Sequence, residues 1–306
     1  MTLEEIRSAG KAGLARGLAE LERSPDAPAT VALLDAAHAA PIAHVVGMTG
    51  PPGVGKSTLM NALIAAWRQQ GRSVGCIAVD PSSRRSGGAL LGDRTRLTTD
   101  PEDQGVFVRS MAARDRLGGL SALTVSAMVL MRALFDVVLI ETVGVGQSET
   151  DVVGVADTVL FCVQPGSGDS LQFMKAGIAE IPHLVVITKA DMGTAARRAM
   201  ADVQGALSLG SGDANEGWTV PVMMVSSNTR DGIDGLVAAI DSHAAFLAEN
   251  GRLQHVRHLQ SEAWLEEAVR ERFGREGVRR ARDLSLAAGS SPFGRLAEVS
   301  LYLKID

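Results

Sequence analysis

The sequence predicts an α/β fold, a doubly wound and mostly parallel sheet of about seven strands with helical extensions at both ends. Three observations predict it. Short apolar segments of strand length alternate with longer segments of helical periodicity. The strand-like segments empty into polar, glycine-containing loops, where open α/β sheets gather their ligands. And Gly50-Pro51-Pro52-Gly53-Val54-Gly55-Lys56-Ser57-Thr58 fits G-x-x-x-x-G-K-[ST] at every fixed position, between a strand-like and a helix-like run. With 306 residues and a net charge of −5, the chain has no overall basic field for nucleic acid, and no apolar run reaches membrane-spanning length.

Taken in order, residues 2–39 carry two helical patterns, Leu3, Ile6, Leu14, Leu18 and Leu21, then Val31, Leu33 and Leu34, broken around Pro25 and Pro28. They form a helical preface, residues 1–40. Its start carries Glu4 and Glu5 and lacks the basic-then-apolar pattern of a signal peptide, which predicts a cytoplasmic protein. Residues 44–49 read as a short buried strand before the glycine motif, and residues 58–67 as the helix after it. Residues 73–80 form a strand ending on Asp80, 106–109 a short strand, 120–134 a helix, and 135–141 a strand ending on Glu141. Strands at 157–163, 183–187 and 221–225 alternate with helices at 171–181, 194–209 and 232–247. From about residue 250 the pattern becomes a charged helix over 258–273 and a basic run to Arg282. Its apolar residues Trp264, Leu265, Ala268 and Val269 recur at helical spacing and need a covering surface, which predicts pairing with a second copy, the alternative being that the helix folds back on its own core. The division expected is therefore 1–40, a core at 41–249, and a C-terminal arm at 250–306 that forms a homodimer.

The glycines of residues 50–58 let consecutive N–H groups turn inward onto phosphates, next to the positive end of the following helix. Gly50, Pro51, Pro52, Gly53, Val54, Gly55 and Thr58 complete the cradle, Lys56 reaches the terminal phosphates, and the Ser57 hydroxyl is a magnesium ligand. Asp80, Asp93 and Glu141 are acids that the strand order can gather near the phosphates. There they would hold Mg2+ with Ser57 and position the attacking water. Thr188-Lys189-Ala190-Asp191 resembles a guanine-reading motif: the Asp191 carboxylate can accept from N1–H and N2–H of guanine, which adenine cannot match. Lys189 would lie over the base, and the backbone of Ser226 and Ser227 would offer an N–H to the guanine oxygen. The bound nucleotide expected is GTP or GDP.

These motifs, with Asp80-Pro81-Ser82-Ser83, Gly87-Gly88, residues 91–96, Glu141-Thr142-Val143-Gly144-Val145-Gly146-Gln147-Ser148-Glu149 and Gln164-Pro165-Gly166-Ser167-Gly168-Asp169, resemble the methylmalonyl-CoA mutase-associated GTPases, the MeaB/ArgK family. The resemblance is dense over residues 40–250. It implies a P-loop GTPase that chaperones an adenosylcobalamin-dependent acyl-CoA mutase, gating cofactor delivery and protecting the mutase. It carries the magnesium and water-positioning roles onto Asp80, Asp93 and Glu141. It also makes Gly144, Gln147, Gln164, Gly166, Asp169 and Lys175 switch residues that link nucleotide state to the mutase. Gln147 stands at an offset from Gly144 unlike that of the water-orienting glutamine in other GTPases, and Thr188 stands where many relatives have Asn. Two other readings share the sheet. A metal-insertion GTPase for a nickel enzyme would need Cys or His ligands, but Cys76 and Cys162 lie in apolar strand-like segments. A kinase of a transport protein would need ATP, which Asp191 argues against.

Overall fold

A computed structural model describes residues 1–80, 97, 100–112, 120–142, 152–166, 182–210, 217–281 and 283–304, with Asp80, Ala112, Leu209 and Gly210 described by backbone alone. The expected helix at 171–181, Asp93, and the switch positions Gly144, Gln147, Asp169 and Lys175 lie outside those residues. Seven strands, β1 (His44–Thr49), β2 (Val74–Asp80), β3 (Val106–Ala112), β4 (Val137–Glu141), β5 (Thr158–Val163), β6 (Leu184–Ile187) and β7 (Val222–Met224), form one sheet. All neighbours run parallel, in the order β3-β2-β4-β1-β5-β6-β7. From β1 the chain moves outward to β2 and β3, returns to place β4 beside β1, then crosses β1 and continues through β5 to β7. This reversal brings the ends of β1, β4 and β5 together, the usual place for a ligand in such a sheet.

Alternation along the strands builds two apolar layers. Val46, Met48, Leu139, Leu160 and Cys162 face α3 (Lys56–Gln69) and α6 (Ile233–Ala248), where they meet Leu59, Leu63, Trp67, Leu236 and Ile240. Val45, Val138, Ile140 and Val159 face the other way, onto α1 (Leu3–Arg23), α2 (Pro28–Ala39) and α4 (Ala122–Arg132). Strands covered on both faces read as nearly continuous apolar runs, which is why β1, β4, β5 and β6 were legible. A third cluster packs Phe161, Val185 and Ile187 against Ala196 and Val203 of α5 (Thr194–Gly210). The helical preface is thus part of the central packing: Leu14, Leu18 and Leu34 belong to the same cluster as β1 and β4. Its first turn is fixed by a reciprocal cap, Glu5 N–H donating to Thr2 Oγ1 at 3.2 Å and Thr2 N–H to Glu5 Oε2 at 2.9 Å.

The charged helix near the C-terminus, α7 (Arg252–Ala281), begins six residues before the expected start, and Gly274 at φ 69° breaks it where only glycine sits without strain. A final helix, α8 (Pro292–Lys304), was not foreseen, although Pro292 at its first turn and Phe293, Leu296, Val299 and Leu303 on one face signal it. Ser291 caps it, its Oγ accepting from Phe293 N–H at 3.2 Å. The α7 stripe does not wait for a second copy. Leu265, Ala268 and Val269 are buried against Leu296, Val299 and Leu303 of α8, and Trp264 meets Phe293 with ring centroids 4.7 Å apart. The covering surface is supplied within the chain, so the reason given for pairing through that stripe falls away.

Below the amino ends of the strands lies a buried polar network. Asp157 accepts from Arg257 Nε at 2.9 Å and Nη2 at 2.7 Å, and from Val45 N–H at 2.7 Å. Burial alone would raise its pKa, but the bonds and charge of Arg257 outweigh that and hold the carboxyl below its usual value. Thr158 Oγ1 bridges His44 Nε2 at 2.6 Å and His243 Nδ1 at 2.7 Å, and His243 stacks on His183 at 4.4 Å. Burial pushes His183 down to about 4 and His243 to about 3, so the rings are neutral at ordinary pH.

Candidate nucleotide site

The loop after β1 can be built only with glycine at its first turn. Gly50 has φ 136°, and a Cβ there would meet the Cys162 carbonyl oxygen at 2.4 Å. Gly53 and Gly55 also take positive φ, 76° and 101°, before α3 starts at Lys56. Pro51 and Val54 are buried, while Pro52, Gly53 and Thr58 are exposed toward the helix start. Lys56 is buried and folds back over the loop, its Nζ donating to the carbonyls of Gly50 at 2.7 Å and Pro51 at 3.1 Å. The ammonium therefore sits in the arc of the cradle.

Glu141 closes β4 and is buried. Met48 of β1 and Ala78 of β2 flank it in register, so Asp80 lies two positions further along the neighbouring strand at the same sheet edge. Ser57 Oγ donates to Glu141 Oε1 at 3.0 Å across 84 residues of sequence. A hydroxyl and a carboxylate held together beside a lysine make an all-oxygen donor pair that fits Mg2+. The structure brings together Lys56, Ser57 and Glu141 of the expected group, and Asp80 shares their edge by its backbone position.

The base-reading side is tied to the same loop. Thr188, 4% exposed, donates from Oγ1 to the Val54 carbonyl at 2.7 Å. Thr188 thus supplies a strut between the two halves of the site, with a second contact to the Val163 carbonyl at 3.2 Å. Lys189 adopts a left-handed backbone, φ 55°, an uncommon state for a residue with a Cβ and one found at ligand sites. Its Nζ donates to Gln164 Oε1 at 2.7 Å and to the Gly53 carbonyl at 3.2 Å. Asp191 lies exposed in the short turn Ala190–Met192, its Oδ1 accepting from Ser226 Oγ at 2.7 Å.

Of the Ser226–Ser227 backbone expected to offer an N–H to a guanine oxygen, the Ser226 N–H donates to the Asp231 carbonyl at 2.9 Å, because the chain turns sharply before Gly232 and α6. Ser226 serves through its hydroxyl, which orients Asp191; of the pair, that leaves the Ser227 N–H for a base. Sequence reasoning also missed the contact of Gln164 with Lys189, which joins a loop end and a strand end that only sheet order makes neighbours. Both cysteines are free and buried, and burial pushes each thiol up to about 12, with Lys56 pulling weakly the other way on Cys162. Neither is a ready thiolate ligand, and among the described residues no three Cys, His, Asp or Glu side chains form a metal cluster.

Comparisons with known proteins point to one family. A family model described as methylmalonyl Co-A mutase-associated GTPase MeaB matches residues 14–281. A Pyrococcus horikoshii protein classed by name among GTPases is 46% identical over 222 residues, 72% of this chain and 70% of that one. The GTPase ArgK of Escherichia coli is 38% identical over 229 residues, 74% of this chain and 69% of that one. A crystal structure of an LAO/AO transport system kinase superposes with a TM-score of 0.72 at 29% identity, covering 99% of this chain and 96% of that one.

Proposed function

We propose, from the premise that this chain belongs to the family of methylmalonyl-CoA mutase-associated GTPases, that it hydrolyses GTP and chaperones an adenosylcobalamin-dependent acyl-CoA mutase. In this reading it gates cofactor delivery and protects the mutase, in the cytoplasm. Residues 41–249 are the GTPase core, flanked by helical extensions at 1–40 and 250–306. The observation that carries the hydrolytic part is the 3.0 Å contact of Ser57 with Glu141 beside Lys56, since phosphoryl transfer depends on placed charge more than on covalent chemistry.

A water oxygen attacks the γ-phosphorus, the bond to the β–γ bridging oxygen breaks, GDP departs, and the water's proton ends on the phosphate released. Lys56 neutralises charge on the phosphoryl oxygens as that bond loosens. Ser57 and Glu141, with Asp80 and Asp93, are the residues that would hold Mg2+, which supplies further charge neutralisation when bound. Asp191, fixed by Ser226, accepts from both guanine donors, which favours GTP over the ATP a kinase would use. The Lys189–Gln164 contact gives the loop after β5 a direct link to the base side, so Gln164, Gly166, Asp169 and Lys175 read nucleotide state together with Gly144 and Gln147.

The stripe on α7 is spent within the chain, so a homodimer through the C-terminal arm would use Leu301 and Tyr302 of α8, each more than half exposed. Light scattering at tens of micromolar checks this, and a monomer there overturns it. The mutase role is tested by cobalamin loading of the mutase complex, followed by absorbance with a non-hydrolysable GTP analogue or with GDP. A useful switch needs a coupling of about 1–3 kcal/mol, so loading should differ between the two nucleotides. Gly166→Pro, which forbids the observed φ of 78°, and Lys175→Ala should reduce that difference while GTP affinity stays near wild type. Identical loading with the wild-type protein sinks the role.

A further inference from the structure

Far from the glycine loop, two residues that line one small cavity each carry a buried hydrogen-bond donor with no acceptor among the described residues. Arg132, the last residue of α4, is 5% exposed, and its side chain enters no ion pair or hydrogen bond among the described residues. Its Nε is buried without a partner, and so is the indole Nε1 of Trp264 on α7. Both residues line a cavity of about 20 Å³ for a water-sized occupant, bounded by α2, α4, α7, α8 and the turn Val152–Gly154. That is room for one occupant of about water or halide size.

The charges around it do not balance. Arg132 and Arg257 both reach the cavity wall. Asp157, the carboxylate nearest in charge, already gives both oxygens to Arg257 and one to Val45 N–H. Asp35 on α2 is engaged with the Gly294 N–H at 3.1 Å. His38, on the same wall, is kept neutral: burial, then Arg132 and Arg257, bring its pKa down to about 4. Burial and then Arg257 lower Arg132, Asp157 offsets part of that, and the result is about 10, so it remains a cation. Gln260 and Ser261 also line it, but Gln260 gives its amide N–H groups to the Val153 and Ala156 carbonyls, the Ser261 hydroxyl bonds the Arg257 carbonyl and His38, and neither carries charge; Val125, Met128, Val129 and Phe293 make the wall's apolar part. An uncompensated charge in such a place is costly, and a water would accept from the two N–H groups without neutralising it.

We infer that this cavity binds a monatomic anion of chloride size, held by the Arg132 guanidinium and the Trp264 indole N–H. The cavity joins α2 to α7 and α8, so an anion there ties both chain ends to the sheet and should register in the stability of the whole chain.

The test uses the full chain near neutral pH, with chloride exchanged for methanesulfonate at constant ionic strength. The melting temperature should rise saturably with chloride, and bromide in crystals should give an anomalous peak within hydrogen-bonding distance of Arg132 Nε and Trp264 Nε1. Arg132→Met keeps the side-chain length but removes the charge; it should lose the chloride dependence and, without chloride, melt no lower than wild type. Trp264→Phe keeps the packing on Phe293 and removes one donor to an ion, which should weaken apparent chloride affinity about tenfold or more. If Arg132→Met fails to fold, Trp264→Phe and the bromide peak decide. Melting that ignores the halide, a bromide peak absent from the cavity, or wild-type dependence in either variant overturns the site.

Discussion

At the carboxyl edge of the sheet, Lys56 and Lys189 bond loop carbonyls, Ser57 bonds Glu141, and Asp191 accepts from Ser226. At the amino edge, Asp157, Arg257, His44, Thr158 and His243 bond one another beneath α6 and α7, with both oxygens of the buried carboxylate occupied. Similar side chains thus do different work. Groups at the first edge keep bonding capacity that a polyanion and a base can claim, whereas groups at the second have exhausted theirs on each other. Substitution at the amino edge should therefore register in stability and leave the site's chemistry intact, and substitution at the carboxyl edge should do the reverse.

The largest expected effect is at the amino edge. Asp157→Ala leaves the Arg257 guanidinium buried without its carboxylate, which should destabilise the chain by about 3–5 kcal/mol in urea unfolding. A loss under about 1 kcal/mol would mean that this edge is not the anchor the comparison requires. Next comes Lys56→Ala at the other edge, expected to lower GTP turnover by about a hundredfold to a thousandfold while the melting temperature stays close to wild type. Turnover near the wild-type rate would remove Lys56 from the chemistry, and a collapse in melting would place it with the anchoring groups instead.

Asp191→Asn should weaken GTP binding by about a hundredfold, through loss of hydrogen bonds to a charged acceptor worth about 1.5–3 kcal/mol each. It should also shift preference toward xanthosine nucleotides, because the amide can donate to the xanthine carbonyl. Equal GTP affinity in both proteins ends the base-reading role. The last test separates the edges by pH. His183 and His243 have pKa values of about 4 and 3 when folded against about 6.5 unfolded, so between those values the unfolded chain binds more protons. Their stabilisation is complete above about pH 6.5 and is lost as pH falls toward 4 and 3, at about 1.4 kcal/mol per pH unit for each ring. His243→Asn can keep a bond to Thr158 while removing one titration. A slope in urea midpoint against pH that is as steep in this variant as in wild type would show the rings are not its source.

Much of this was readable before any fold was known, for a local reason. Residues 50–58 fix their own backbone through glycine and declare the phosphate cradle by spacing alone. Strands buried on both faces, such as Val45-Val46 and Val159-Leu160-Phe161-Cys162, declare themselves by continuous apolar character. Asp80 and Glu141 could be placed at strand ends from the same pattern, and the structure adds that Ser57 bonds Glu141. What the tertiary structure decided was everything that depends on which distant segments become neighbours. The order of the sheet put Gln164 on Lys189 and Thr188 on Val54. The turn before Gly232 took the Ser226 N–H and left its hydroxyl to orient Asp191. The fold of α8 onto α7 covered a stripe whose helical spacing was plain but whose partner was not, and it supplied part of the wall of the cavity that Arg132 and Trp264 line. Spacing records what a segment needs to bury or bind; only packing says which atoms meet that need, because hydrogen bonds and apolar contacts act over a few ångströms while the residues that make them stand tens to hundreds of positions apart.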